Sequence, residues 1–317
     1  MQTIKRILVD IDPDKTDQPG LSRAIQFASK NKTTIKLLSC VYYPSVVANN
    51  FLSAHQLAKA KAAIQQMHEH KLEKIIKQNS ISNITYESEV IWHSPVYQGI
   101  LQVVEKFKPD LVIKATHPHP SYSRRLFTPT DWQLLKTCPQ PILFVKHSEW
   151  PENASVVAAI DPNHNLSKSS ELDKRILHTA QIISSQLDTP LHACNCFDPS
   201  YWDILFEAVT VSGQWADVFS GNPEKDESLV MDKMRYEQNQ QFADVCSELV
   251  PNSANQHLIS GNIETSLPKT LDILHAGILV LGTTYRTGLL GSTAEKLLET
   301  VECDVLGVKP KDFEFFV

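Results

Sequence analysis

The sequence predicts an α/β fold made of two tandem, doubly wound, five-stranded parallel-sheet domains. Three observations predict it. Short apolar runs alternate with longer amphipathic segments along the chain, as in parallel sheets that are covered by helices on both faces. The element order of the first half returns in the second half. The length of 317 residues suits two domains of roughly 100–200 residues each.

The first predicted domain, residues 1–148, contains five strands and four helices. Its strands are short and rich in aliphatic residues, and its helices repeat apolar residues every three or four positions. Thr128, followed by Pro129 and Asp131, is typical of a helix start. The strands cover about 4–11, 34–41, 85–91, 111–115 and 142–146, and the helices about 19–30, 53–78, 95–107 and 129–137.

The second predicted domain, residues 154–311, follows a short linker and has the same order. Its strands cover about 155–160, 191–197, 256–260, 278–281 and 304–308, and its helices about 169–187, 226–249 and 264–274, with a last helix from about 294. Segment 198–225 is an insertion with five aromatic residues (Tyr201, Trp202, Phe206, Trp215 and Phe219). Such a long connection forms a lid, a binding loop or an interface, or it caps its own core.

Two pairs of segments indicate a duplication. Asp10-Ile11-Asp12-Pro13 returns as Ala159-Ile160-Asp161-Pro162, and Cys138–Lys146 returns as Cys303–Lys309. Both pairs lie at matching places in the predicted element order. The two domains are therefore interpreted as copies of one unit.

Composition excludes several classes of function. The net charge of −6 disfavours direct binding of nucleic acid, which needs a basic field. No apolar run approaches the roughly 20 residues of a membrane span, and no signal peptide precedes the first strand. The six cysteines lie mostly in apolar stretches, as reduced thiols do. We therefore expect a cytoplasmic protein with no membrane partner.

The stretch 276–309 contains the best candidate site. A strand ends at Leu281, a loop with three glycines follows, and a helix begins near Ala294. Strand, glycine-bearing loop and helix N-terminus together place backbone amides around a phosphate. Ser292 and Glu295 also have the spacing of a capping box, which explains both residues without a ligand. The two interpretations are compatible.

These residues resemble the universal stress protein family in its tandem form. The resemblance rests on Gly282, on Arg286-Thr287-Gly288 and on Gly291-Ser292-Thr293-Ala294-Glu295, and it covers essentially the whole chain. It implies an adenine nucleotide alpha hydrolase-like fold with strand order 3-2-1-4-5 in each half. It further implies that the closing strands pair, so that the halves form an intramolecular pseudo-dimer, and that the protein serves stress survival without being an enzyme.

The resemblance also implies a ligand, which is ATP or another adenine nucleotide with Mg²⁺, or a related anion. This loop departs from the family pattern, since it is four residues shorter and has Tyr285 in place of the second glycine. Nucleotide-independent binding of a small molecule or lipid-like ligand, with the chain as an interaction scaffold, therefore stays open as the alternative. The residues predicted to form the site are Asp161, Gly282, Thr283, Gly288, Gly291, Ser292 and Thr293.

The first half is predicted to bind no nucleotide. No glycine occurs between Gly99 and Gly213, so its matching loop, rich in proline and aromatic residues, is expected to be rigid. Asp12 is interpreted chiefly as a turn residue. The pairs His68/His70 and His117/His119 lack metal-ligand spacing and are expected to be exposed. No catalytic constellation is present, and the sequence leaves homodimerisation open.

Overall fold

The structure, a computed structural model, describes residues 3–28, 32–48, 53–116, 127–146, 149–162, 170–198, 223–283, 297–311 and 313. Strands and helices alternate through both halves, with two helices between β2 and β3. The strands are β1 (Arg6–Asp10), β2 (Thr33–Val41), β3 (Ile84–Trp92), β4 (Leu111–Ala115), β5 (Ile142–Val145), β6 (Ser155–Ala159), β7 (Leu191–Phe197), β8 (Gln256–Ser260), β9 (Ala276–Gly282) and β10 (Asp304–Val308). The helices are α1 (Pro19–Ala28), α2 (Pro44–Val47), α3 (Ala54–Gln78), α4 (Val96–Phe107), α5 (Pro129–Thr137), α6 (Ser170–Leu187), α7 (Pro223–Cys246) and α8 (Ile263–Ile273).

One ten-stranded sheet runs through the molecule, in the order β3-β2-β1-β4-β5-β10-β9-β6-β7-β8. Each half therefore has the order 3-2-1-4-5, and its strands pair in parallel. This confirms the predicted α/β class with a doubly wound parallel sheet in each half. In the part of the chain that the structure describes, the predicted strand and helix positions agree with it to within a few residues, and the predicted start of the last helix near Ala294 lies outside that part. The four-residue helix α2 was not predicted.

The two halves meet at an antiparallel pair of closing strands. Phe144, Leu143 and Ile142 of β5 pair with Val305, Leu306 and Gly307 of β10. A side chain at Gly307 would collide with Leu135 of α5, whose Cδ1 atom lies 2.7 Å from the position of a Cβ atom. The first half thus packs directly on the last strand of the second half, in the strand pairing that the resemblance implied.

Each face of the sheet carries one hydrophobic core that is continuous across both halves. Alternate strand residues face opposite sides, so Val9 lies in one core and Leu8 in the other. Helices α1, α3, α6 and α7 cover the first face, and α4, α5 and α8 cover the second. The six cysteines are unpaired thiols. In the part of the chain that the structure describes, no helix is long and apolar enough to cross a membrane.

A buried ion pair joins the halves beside the closing strands. Arg23 of α1 donates from Nε to Asp304 Oδ2 over 2.8 Å, and both side chains are fully buried. Asp304 also accepts from Trp150 Nε1 at 2.8 Å and from the backbone N–H of Lys146 at 2.9 Å. The guanidinium lies 3.6 Å from the Trp150 ring centroid. Burial lowers the pKa of Arg23, and Asp304 opposes that change by stabilising the charged form.

A second buried polar contact lies between α6 and the first half. Gln186 accepts a hydrogen bond from the Ile4 backbone N–H at 3.1 Å. Its amide nitrogen donates to the carbonyl oxygens of Ile4 and Phe27, at 3.2 and 2.6 Å. These bonds satisfy the backbone groups of Ile4 and Phe27, which the contact between the halves buries away from water. They also fix the position of α6 relative to β1 and α1.

Two lysines that follow the closing strands are also buried. Lys146 donates to the carbonyl oxygens of Leu298 and Val301, at the end of the helical residues 297–300. Lys309 donates to the carbonyl oxygen of Thr283 at 3.1 Å. Burial lowers the pKa of Lys146 to about 8 and that of Lys309 to about 7. Each lysine thus binds backbone carbonyl groups at the seam.

Replacement of Arg23 should destabilise the chain strongly. In Arg23→Met the Asp304 carboxylate stays buried without its counter-ion, and breaking a buried pair in this way costs about 3–5 kcal/mol. Urea unfolding followed by circular dichroism measures the loss in unfolding free energy. Arg235→Met, at an exposed position on α7, is the control and should change it by less than about 0.5 kcal/mol. Equal stability of the two variants would contradict the role of the pair.

Lys309 should make stability depend on pH above neutrality. Its pKa is about 7 in the folded chain, against an ordinary value of 10.5, so between these values the unfolded chain binds more protons. Stability therefore rises with pH from about 7 to about 10. Urea unfolding at pH 7, 8 and 9.5 should show a steeper rise in the wild type than in Lys309→Met. The control Lys311→Met, at an exposed residue, should keep the wild-type slope, and parallel slopes in all three proteins would refute the assignment.

Candidate functional site

Each half has a topological switch point at the carboxyl ends of its paired first and fourth strands, which is where a ligand crevice is expected. In the first half these strands are β1 and β4, and in the second half they are β6 and β9. Asp12 and Asp161 follow β1 and β6, and Thr116 and Thr283 follow β4 and β9. The general position predicted for a ligand is therefore present twice.

Asp161 begins the loop after β6 in the second-half crevice. Its backbone N–H donates to Oδ1 of the buried Asp173 on α6 at 3.2 Å, which holds the start of the loop against that helix. The pKa of Cys196, at the end of β7, is raised to about 12, mainly by burial and next by the charge of Asp161. The Asp161 carboxylate is thus close enough to Cys196 for its charge to act on that thiol.

Gly282 ends β9 directly beneath α6. A Cβ atom at this position would lie 2.9 Å from Leu172 Cδ2 and 3.0 Å from Ile176 Cδ1. Only a residue without a side chain lets α6 approach the strand this closely. Packing of the helix on the sheet is therefore enough to explain Gly282, whether or not a ligand binds there.

Thr283 extends the sheet and is almost fully buried, with 1% of its surface exposed. Its backbone N–H donates to the Val308 carbonyl at 2.9 Å, and its hydroxyl lies 3.5 Å from the same oxygen. Thr116 makes the equivalent two contacts with Val145, at 2.8 and 3.2 Å. Both threonine side chains therefore contact the neighbouring strand, which is β5 for Thr116 and β10 for Thr283.

Three of the seven predicted site residues lie in the described part of the chain. Asp161 and Gly282 stand at the second-half crevice, and the Thr283 side chain is turned into the sheet. The other four (Gly288, Gly291, Ser292 and Thr293) lie outside the described residues, as do 199–222 of the aromatic insertion.

The first-half crevice encloses a cavity of about 330 Å³. Asp12 accepts on Oδ1 from the backbone N–H of Asp14 at 3.1 Å, which is the turn arrangement expected of it. Polar groups from β1, β2, α3, β4 and the loops after β1 and β2 line the cavity, among them Asp10, Asp12, Ser39, Tyr43, His68 and Lys114.

A buried group of charges forms the floor of this cavity. Lys114 Nζ lies 2.6 Å from Asp10 Oδ2 and 3.8 Å from Asp131 Oδ1. Burial alone would lower the pKa of Lys114, but the two carboxylates outweigh burial and raise it, so the ammonium stays charged. Burial raises the pKa of Asp131, and Lys114 opposes that shift. The Lys114 charge is thus neutralised by the protein itself, which disfavours binding of a phosphate here.

The second half has no such charges at the matching strand positions. Asp10 pairs with Lys114 across β1 and β4, whereas Ala159 pairs with Leu281 across β6 and β9. The two crevices therefore share a backbone arrangement and differ at their floors, which are ionic in the first half and apolar in the second.

Comparison with known proteins gives the family. A model described as the universal stress protein family matches residues 3–146. Universal stress protein E of Photorhabdus laumondii is 29% identical over 320 residues, which are 99% of this chain and 98% of that protein. Residues 3–146 thus match the universal stress protein family, and over its whole length the chain is a homologue of universal stress protein E.

Two further similarities extend over the whole chain. Universal stress protein E of Escherichia coli K12 is 28% identical and is covered to 96%, with 99% of this chain matched. The crystal structure of a putative universal stress protein from Pseudomonas aeruginosa UCBPP-PA14 matches with a TM-score of 0.72 and 23% identity. That match covers 98% of this chain and 94% of the other, and it shows the shared fold.

The exposure expected for His68 was wrong. His68 on α3 is 3% exposed, and its Nδ1 and Nε2 atoms lie 3.1 Å from Ser39 Oγ and 3.3 Å from Tyr43 Oη. Burial is the main cause of its lowered pKa. His70 is exposed as expected, and His117 and His119 lie outside the described residues. Among the residues that the structure describes, no group of three His, Cys, Asp or Glu side chains could hold a metal ion.

Replacing the Asp10–Lys114 pair tests the difference between the crevices. Lys114→Leu leaves two carboxylates buried side by side and should lower the unfolding free energy by about 3–5 kcal/mol. The double variant Asp10→Ala/Lys114→Leu reproduces the second-half pair and should be more stable than Lys114→Leu. Urea unfolding of the wild type, both single variants and the double variant gives the coupling energy. Strict additivity of the two single effects would show that the residues do not act as a pair.

Proposed function

We propose that this universal stress protein is a non-enzymatic stress-response protein of the cytoplasm whose second half binds an adenine nucleotide or a related anion. The observation that carries the proposal is the contrast between the crevices. At the second-half switch point Asp161 follows β6, and the paired strand residues Ala159 and Leu281 are both apolar. At the first-half switch point Lys114 is already neutralised by Asp10 and Asp131.

The described residues fit the nucleoside end of such a ligand. A carboxylate at the position of Asp161 accepts hydrogen bonds from a ribose hydroxyl or an exocyclic amine. The partly exposed Ala159 offers an apolar contact for the base, and its strand partner Leu281 is buried in the core. The glycine-bearing loop after Thr283 would bind the phosphates. This part of the proposal rests on the sequence, because residues 284–296 lie outside the described residues.

The proposal includes no chemical step. The sequence provides no Walker lysine after Gly291 and no Gly-x-Ser-x-Gly turn. Burial raises the pKa of the Cys194 and Cys196 thiols, which keeps them neutral. A bound nucleotide would act as a signal or a structural ligand, with Mg²⁺ neutralising its phosphates. This role in stress survival is carried by the family relationship.

Calorimetric titration with Mg-ATP tests the proposal. The wild type should bind, and Asp161→Ala should lower the affinity at least about tenfold, because a hydrogen bond to a charged group contributes about 1.5–3 kcal/mol. Asp12→Ala changes the matching residue of the first half and should leave the affinity unchanged. Native mass spectrometry of the purified protein should show one nucleotide per chain and no apolar ligand.

Two results would contradict nucleotide binding. One is the absence of binding heat at millimolar Mg-ATP, and the other is equal weakening by Asp161→Ala and Asp12→Ala. A copurified apolar molecule in a chain that binds no ATP would favour the alternative, a nucleotide-independent small-molecule or lipid-like binder. Release of inorganic phosphate from bound ATP would contradict the non-enzymatic part alone.

A further inference from the structure

Two histidines on the outer strands of the second half face each other. His192 lies on β7 and His257 on the edge strand β8. His192 Nδ1 is 3.1 Å from His257 Nε2, and the ring centroids are 5.2 Å apart with an angle of 41° between the planes. The parallel pairing sets Cys194 opposite His257, so backbone hydrogen bonds fix the relative position of the two rings. The pair is therefore held by the sheet rather than by a loop.

The pair is far from the crevices already described. Both histidines are the second residue of their strand, whereas the second-half crevice lies at the carboxyl ends. The His192–Cys196 separation, at about 3.3 Å per residue, is roughly 13 Å. A ligand at the histidines would thus not contact the proposed nucleotide site.

Both rings favour the uncharged form, in which imidazole binds metal ions. Both side chains are half-buried, and burial lowers the pKa of each. The charge of one ring also opposes protonation of the other, which adds to the lowered pKa of His192. Near neutral pH each ring is therefore neutral and carries one N–H. The unprotonated nitrogen can be the one that faces the other histidine.

The spacing of the two nitrogens matches that of two ligands on one metal ion. Zinc–imidazole bonds of about 2.0–2.1 Å at a tetrahedral angle place the two nitrogens roughly 3.3 Å apart. The observed 3.1 Å requires a shift of a few tenths of an ångström, and both rings must turn so that their lone pairs converge on the ion. In the metal-free state one ring donates an N–H to the other, and in the metal-bound state that proton lies on the nitrogen that faces away.

We propose that His192 and His257 form a two-histidine site for a divalent transition metal ion of the zinc or copper type. Imidazole nitrogen suits these ions better than Mg²⁺ or Ca²⁺, which prefer oxygen. No third His, Cys, Asp or Glu joins them among the residues that the structure describes, so water completes the coordination. The bound ion ties the edge strand β8 to β7.

Zinc titration with matched variants tests the site. In His192→Asn the amide lies near the former Nδ1 position, and in His257→Gln it lies near the former Nε2 position. Both variants therefore keep a hydrogen bond across the strands and lose a metal ligand. Each should weaken Zn²⁺ binding at least tenfold in calorimetry, since loss of even an outer-shell partner lowers metal affinity by roughly 10–100-fold. His178→Asn, at an exposed histidine on α6, should bind like the wild type.

A second measurement separates metal binding from a purely structural pair. Without metal, the melting temperatures of wild type, His192→Asn and His257→Gln should be similar. Added Zn²⁺ should raise the melting temperature of the wild type and of His178→Asn, and should leave that of the other two variants unchanged. Equal Zn²⁺ affinity in all four proteins, or no wild-type binding at millimolar Zn²⁺, would overturn the proposal.

Discussion

Asp304 is the place where both halves and the linker between them converge. Its carboxylate accepts from Arg23 on α1, from Trp150 in the linker and from the backbone of Lys146 after β5. A fully buried carboxylate requires such partners, because an isolated charge in an apolar interior is strongly unfavourable. The charge is neutralised when the first half docks on β10. The Asp304 carboxylate is therefore satisfied only when the halves dock as observed, with β5 paired to β10.

The antiparallel seam determines where the two crevices lie. Strands within a half are parallel, whereas β5 and β10 run in opposite directions. The carboxyl ends of the first-half strands therefore point away from those of the second half. The crevice with the ionic floor and the crevice with the apolar floor open at opposite edges of the sheet. Asp12 and Asp161, although equivalent in the repeat, cannot contact the same ligand.

The sequence predicted most of the fold because its signal is local. Alternating apolar runs and helical periodicity locate strands and helices, and the Thr128–Asp131 capping box appears as its residue types indicate. The contacts within the candidate site were harder to predict from the sequence. Asp161 and Gly282 follow or end the strands of the second-half switch point, and their role in binding stays a prediction. The buried contacts of Thr283 and His68 depend on strands far away in sequence. One signal for the Asp10–Lys114 pair was available, namely that the repeat has Ala159 and Leu281 at the same positions.

The duplication within a single chain has a consequence for how such a protein changes. In a symmetric dimer of identical subunits, every substitution appears at both sites, so neither site can be altered without the other. Here each copy is encoded separately, while β5 and β10 hold the copies together. Lys114 could enter one floor while Leu281 remained in the other. The seam thus lets one copy act mainly as support while the other keeps a ligand, so the two sites can evolve independently.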